Sequence, residues 1–241
     1  MKHFFIPDTQ VKPGVKTDHL EAAGNYVADK RPDKIICIGD WWDMPSLSAY
    51  DKAGEEGWEL KDVAADFESG NEAMELFMAP IRKAKDYHPK LIFTFGNHEE
   101  RRDRACKDPL NRKFKAYLGP ENFNLNEWKT YPYLKPVNVD GILYCHTFEG
   151  VRGMVETRIK TVGNSFVAGH EHTYMVGAFH TSSGQRRRGL VCGSFYQHDE
   201  KYVGFQKNKK TWRGCFMLNE VKNGDYDLLE ISLKYLMANW L

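Results

Sequence analysis

Short apolar runs alternating with stretches of helical spacing organise the first hundred residues. Residues 3 to 7 predict a strand, 17 to 30 a helix stopped by Arg31-Pro32, and 34 to 38 a buried strand. From 60 to 87, Val63, Phe67, Met74, Phe77, Met78 and Ile81 recur at helical intervals, with a bend expected near Pro80. Leu91 to Phe95 predicts a third buried strand, followed by a basic helix. The order strand, helix, strand, helix, strand implies parallel pairing. Beyond residue 130 the pattern changes. Val137-Asn138-Val139 and Ile142 to Cys145 flank Asp140-Gly141, a hairpin signature. A short helix at about 151 to 161 precedes a strand at Phe166-Val167-Ala168, and further hairpins are expected around Ser182 to Gly184 and Asn223 to Asp225. No repeat or low-complexity tract interrupts this.

Composition sets the scale. With 241 residues, 41% of them apolar, and no Pro- or Ser-rich linker, the chain is expected to form one α/β domain over 1–241. Its longest apolar runs, such as Ile35 to Ile38, are far too short to span a bilayer, and no membrane contact is expected. The first residues run straight into Phe4-Phe5-Ile6 and the first motif, so no cleavable signal peptide is expected. The five cysteines form no CxxC pair, and Cys37 and Cys145 sit inside apolar runs as buried thiols would. A cytoplasmic location is the expectation. Net charge of +1 points to no class of partner, but its distribution is uneven. Residues 51 to 75 are acidic, with Glu55, Glu56 and Asp62 among them; 101 to 115 are basic, starting Arg101-Arg102-Asp103-Arg104. Arg186-Arg187-Arg188 and then Lys207, Lys209, Lys210 and Arg213 form a second basic stretch.

Candidate chemistry lies where the apolar runs end. Asp8 and Gln10 follow the first strand, and Gly39-Asp40-Trp41-Trp42-Asp43 the second. Gly96-Asn97-His98-Glu99 follows the third; His146 and Gly169-His170-Glu171-His172 come later. Open α/β sheets place their sites at such strand ends. Asp40 is central because one carboxylate can bridge two divalent cations about 3.5 to 4 Å apart. Asp8 adds a carboxylate, Gln10 and Asn97 amide oxygens, and His146, His170 and His172 imidazole nitrogens. A mixed oxygen and nitrogen set without thiolate suits Mn²⁺, Fe or Zn²⁺ in a reactive centre and argues against a structural zinc. Any one motif alone is turn chemistry; all five in this order are not.

The order and residue types resemble the calcineurin-like metallophosphoesterase superfamily, with its Asp-x-His, Gly-Asp-x-x-Asp, Gly-Asn-His-Asp/Glu, lone His and Gly-His-x-His pattern. The resemblance spans Asp8 to His172. It implies a four-layer sandwich of two mixed β-sheets flanked by helices, with two metals at one sheet edge. One metal would take Asp8, Gln10, Asp40 and His172; the other would take Asp40, Asn97, His146 and His170. Two cations would acidify a shared water to hydroxide and hold the ester for in-line displacement. His98, held by Asp43, would stabilise the transition state or protonate the leaving oxygen. Position 10 departs from the pattern, being Gln where the family has His. A neutral amide is a harder and weaker donor, so Mn²⁺ or Mg²⁺ is expected over Zn²⁺ unless Gln10 stands behind the ligands. Pro7-Asp8-Thr9-Gln10 and Glu99 to Arg102 also resemble versions carried by bacteriophages, which would place the protein in host cytoplasm.

Around this core, one of Trp41 and Trp42 is expected to wall the site, and the other could wall it or stack a nucleobase. Arg101 and Arg102, one turn beyond the third motif, are candidate phosphate contacts, against an alternative as surface partners of Glu99 and Glu100. His19 and His198 could approach the site; His3, His88 and His180 are expected to be bystanders. The reading is a metal-dependent phosphoesterase with a phosphate-ester substrate, leaning to a phosphodiesterase or nuclease acting on nucleic acid or a nucleotide. A phosphomonoesterase is the alternative, although Asp43 is followed by Met44-Pro45 where serine/threonine phosphatases carry Arg-Gly. A catalytically silent binding module is the third reading. No protein partner is read from the sequence.

Overall fold

A computed structural model describes residues 1–48, 61–108, 115–116, 118–200 and 204–241. Glu55, Glu56, Arg112 and Lys113 lie outside the described residues, as do the side chains of Lys207 and Lys210. The first three strands, β1 (His3–Ile6), β2 (Lys34–Cys37) and β3 (Lys90–Thr94), pair in parallel as their alternation with α1 (Asp18–Lys30) and α2 (Val63–Lys83) requires. The connecting helix α3 (Glu100–Lys107) leads to a short parallel edge strand, β4 (Lys129–Tyr131). The hairpin β5 (Val137–Val139) and β6 (Ile142–Cys145) opens a second sheet. It continues through α4 (Val155–Val162), β7 (Ser165–Ala168), β8 (Tyr174–His180) and β9 (Arg186–Cys192). After α5 (Phe205–Lys210), the hairpin β10 (Gly214–Lys222) and β11 (Asp225–Ser232) returns to the first sheet, and α6 (Leu233–Trp240) follows.

The strand orders are β11-β10-β1-β2-β3-β4 and β5-β6-β7-β9-β8, both mixed. Period-two alternation assigns each side chain to a layer. Phe5, Ile36, Ile38, Ile92 and Phe216 face Ile142, Tyr144, Val167 and Leu190 of the second sheet. The registered pair Phe5 and Phe216 stacks at 4.8 Å in this inner layer. Their neighbours Phe4, Ile6, Ile35, Cys37 and Phe93 face outward against Leu20, Val27, Phe77 and Met78 of α1 and α2. On the far side Val155 and Ile159 of α4 cover Phe166 and Val191. The result is helix, sheet, sheet, helix: the four-layer sandwich. Helix α2 runs through Pro80, with Asp62 accepting from the Ala65 amide at its N-cap. Among the described residues no helix is long and apolar enough to cross a membrane. Cys37, Cys145, Cys192 and Cys215 are buried free thiols, and Cys106 is exposed.

Candidate metal centre

The loops that leave β1, β2, β3, β6 and β7 at their C-terminal ends meet where the two sheets adjoin. Two of them are zipped together. The Val11 amide donates to the Trp41 carbonyl and the Asp43 amide to the Val11 carbonyl, both at 2.8 Å. The Thr9 and Gln10 amides donate to the Asp40 carbonyl at 3.1 and 2.9 Å. Gln10, Asp40, His170 and His172 all have positive φ, between 44° and 68°, a conformation non-glycine residues hold only when their surroundings over-determine it. Glycines clear the space. A methyl at position 96 would overlap Asp40 Oδ1, and one at 169 would overlap Asp8 Oδ1.

All seven residues read as ligands converge here. Asp40 Oδ2 lies 3.2 Å from His146 Nε2, and Asn97 Oδ1 lies 3.0 Å from that same nitrogen. Ligand atoms of Asp40, His146 and His170 fall within 4.8 Å of one another. On the other side Asp8 Oδ2 is 3.1 Å from His172 Nε2, and Gln10 Nε2 is 3.3 Å from it. His146 Nδ1 donates to the Ile38 carbonyl at 2.9 Å, which directs Nε2 into the cluster. The Tyr196 hydroxyl, 3.2 Å from His172 Nδ1, does the same for that ring. Asp8 Oδ1 is fully buried and has no hydrogen-bond partner among the described residues. A buried, unsatisfied carboxylate oxygen among imidazoles fits a divalent cation.

The electrostatics are those of a negative well. Burial alone would push the Asp40 carboxyl up, but the charges of His146 and His98 outweigh it and hold the group well below the usual carboxylate range. Burial likewise opposes the His146 cation, yet Asp40 and Asp8 raise its pKa to about 10. At His98, Asp40 and Asp43 win over burial and over Arg101, and the pKa is raised. His98 Nδ1 sits 2.7 Å from Asp43 Oδ1, its backbone amide donates to Asp40 Oδ1 at 2.9 Å, and its Nε2 is 3.7 Å from Asp40 Oδ2. The imidazole therefore bridges the Asp43 carboxylate and the cluster.

The motifs keep their sequence order and meet between two mixed sheets. The chain resembles the calcineurin-like metallophosphoesterase superfamily in the order of its motifs. It is 27% identical over 189 residues to the gene 54 protein of Mycobacterium phage D29, covering 69% of this chain and 67% of that protein. It is 31% identical over 107 residues to the gene 54 protein of Mycobacterium phage L5, covering 44% and 38%. Among solved structures it is similar to YfcE, a phosphoesterase from E. coli, at a TM-score of 0.42 and 12% identity over 96% of this chain and 100% of that one. A second is a conserved protein from Streptococcus pneumoniae TIGR4 described as a predicted phosphoesterase, at 0.36 and 11% over 95% and 97%. No family model matches the chain.

Around these motifs the structure separates alternatives that the sequence leaves open. Trp41 and Trp42 are both fully buried, their indoles donating to the carbonyls of Gly70 and Phe67, so neither can stack a base. Arg101 donates to the Asp43 carbonyl at 2.8 Å and lies 3.2 Å from His98 Nε2, beside the site. Arg102 is instead taken up by the Leu118 carbonyl and Asp103. Glu99 is no surface partner of these arginines. It is buried, and its carboxylate accepts from the amides of Asp40, Trp41, Trp42 and Gly96. Nothing in Gly-Asn-His-Glu distinguishes this role from a helix-surface acid; only the folded approach of the Asp40 loop does. In the second basic stretch, Arg187 donates to Asn164 and Arg188 to the Tyr226 carbonyl. Glu171, within the last motif, pairs with Arg158 of α4. Buried His19 donates from Nε2 to the Phe195 carbonyl and accepts at Nδ1 from Gln197 Nε2, and its pKa is pushed down to about 4 by burial.

Proposed function

We propose that this chain is a metal-dependent phosphoesterase, working as one domain over 1–241 on a phosphate-ester substrate, with a preference for diesters of nucleic acid or nucleotides. The observation that carries the reading is Asp40, whose carboxylate faces both His146 and His98 while the buried Asp8 Oδ1 stands unsatisfied beside them. Asp8, Gln10, Asp40 and His172 would hold one cation; Asp40, Asn97, His146 and His170 would hold the other. When bound, two divalent cations supply an acidified water and neutralise phosphoryl oxygens. Mn²⁺ is the favoured ion, because Gln10 offers a harder, weaker donor than imidazole and would hold its cation loosely.

The chain's own residues supply the rest. His98 is held by Asp43 with Nε2 toward Asp40, where a protonated imidazole can donate to the leaving oxygen. Arg101, whose guanidinium lies 3.2 Å from the same nitrogen, is the side chain that would meet a phosphoryl oxygen; Arg102, bound elsewhere, is not part of this proposal. The diester preference rests on the basic segment carrying Arg101 and Arg104 and on phage relatives, which also support action in host cytoplasm.

Bis(p-nitrophenyl) phosphate and p-nitrophenyl phosphate, each with Mn²⁺, test the reading. Preferential cleavage of the diester is expected. Selective monoester cleavage reverses the substrate preference, and no cleavage of either leaves a binding module. His98→Ala is expected to lower kcat by about 10²- to 10⁴-fold with metal content retained, the range for loss of a general acid. Asp40→Asn is expected to lose both activity and metal.

A further inference from the structure

The site subsumes His98 and Asp43, but a chain of buried charges continues past them. Lys12, two residues after Gln10, is carried next to Asp43 by the bridge that pairs Val11 with Trp42. Its ammonium lies 2.9 Å from Asp43 Oδ2, and 2.8 and 2.7 Å from the two oxygens of Glu200. The Asp43 and Glu200 side chains are 6% and 2% exposed, so the contacts are screened little by water. Glu200 is itself anchored: its amide donates to Asn208 Oδ1 and its carbonyl accepts from Asn208 Nδ2 at 2.8 Å. His198 Nε2 sits 2.5 Å from Glu200 Oε1, and its ring stacks at 4.9 Å on Tyr196, whose hydroxyl meets His172.

The division of labour at Asp43 is what matters. One oxygen meets Lys12 and the other meets His98, so the carboxylate has a single orientation that satisfies both. Remove the ammonium and two buried carboxylates face each other with nothing between them. Asp43 Oδ2 then loses its partner, and His98 keeps the Asp43 carbonyl, 2.8 Å from its Nδ1, but no longer a carboxylate fixed in one orientation.

We propose that Lys12, clamped by Glu200, is a positioning residue that locks the Asp43 carboxylate so that His98 is held in its working orientation. This rests on the reading of His98 as the residue acting on the leaving oxygen. The segment around Tyr196 to Glu200 thereby gains a definite role, in which one arm steadies Asp43 through Lys12 and the other steadies the ligand His172 through Tyr196. A positioning residue acts through its partner, so its effect must vanish when the partner is gone.

The test is a cycle on the Mn²⁺-loaded full chain, with whichever nitrophenyl ester it cleaves. Lys12→Met is expected to lower kcat about 10-fold, with KM and bound metal unchanged, and Lys12→Arg to recover part of the loss. In the His98→Ala background, Lys12→Met is expected to change nothing further. Lys12→Met leaves Asp43 and Glu200 without the cation that lies between them; if it does not fold, Lys12→Met/Glu200→Gln removes the cation and one anion together and carries the same expectations. An equal loss in both backgrounds, a rise in KM alone, or a fall in metal content overturns the proposal. So does unchanged turnover in a folded Lys12 variant. Wild-type turnover in His98→Ala alone identifies a different failure, that of the His98 reading, and the proposal falls with it.

Discussion

At the scale of single residues, identity was legible and environment was not. Asp8, Asp40, Asn97, His98 and the later histidines stand out in the sequence because carboxylates, amides and imidazoles at strand ends have a chemistry of their own. Glu99 did not stand out, because four backbone amides cannot be read from a string of letters. Each of its oxygens accepts two N–H groups, which is the geometry of an ionised carboxylate, even though burial and Asp40 both push its pKa upward. Replacing it tests that role. Glu99→Gln turns one accepting oxygen into an NH₂ group facing two amide donors. Buried donors left unsatisfied cost about 1–3 kcal/mol each, so a loss of about 3 kcal/mol is expected in denaturant unfolding of the chelated protein. A change within about 0.5 kcal/mol, the ordinary range of a surface substitution, would return Glu99 to the helix surface. The tryptophans failed to be legible for the same reason. A buried and an exposed indole share a letter, and only α2 lying over Trp41 and Trp42 separates them.

At the scale of elements, long apolar periods translated well and short polar ones did not. Strands β1, β2 and β3, helix α1 and the Asp140-Gly141 hairpin lie within a residue or two of where the pattern puts them. Strand β4 is three residues, Lys129-Thr130-Tyr131, partly exposed at a sheet edge, with no apolar run to announce it. Helix α4 starts at Val155 and not near 151 because Gly150 and Gly153 adopt φ of 73° and 89°, outside any right-handed helix. Helix α2 holds a case where packing should override propensity. In an exposed helix, Gly→Ala gains about 0.5–1 kcal/mol. At Gly70, however, an added Cβ would overlap the Trp42 ring, which is itself fixed by its bond to Phe67. Overpacking a buried ring costs about 1–3 kcal/mol, so Gly70→Ala is expected to be net destabilising and to lower the Tm. It should also disturb the loop that carries Asp40. A rise in Tm would mean that the helix simply shifts, and that Trp42 does not pin the loop.

At the scale of the whole molecule, the sequence announced a cluster but not the junction that makes it. Asp8, Gln10, Asp40 and Asn97 belong to loops of the first sheet; His146, His170 and His172 belong to loops of the second. Any cation held by both sets therefore ties the two sheets together, and its removal should be felt as stability. A ligand that binds only the folded state contributes about 2.7 kcal/mol at 100 times its Kd. For a chain of this length, about 2–4 °C of Tm follows each kcal/mol, so Mn²⁺ should raise the Tm by about 5–10 °C and a chelator should reverse it. The size of that rise should depend on pH, and its sign follows from His146. Its folded pKa, about 10 without a cation, lies above the unfolded value near 6.5. The metal-free fold thus gains stability from protonated His146 that is fully present below about pH 6.5 and is lost as pH rises toward 10. A cation needs the neutral ring, so it must displace that proton, and it competes better as protons become scarce. The Mn²⁺-induced rise in Tm should therefore grow between pH 6 and pH 9, while calorimetry in buffers of different ionisation enthalpy should detect proton release on binding. A rise that is constant across this range, without proton release, would mean that His146 is no ligand; no rise at any pH would mean that no cation spans the two sheets.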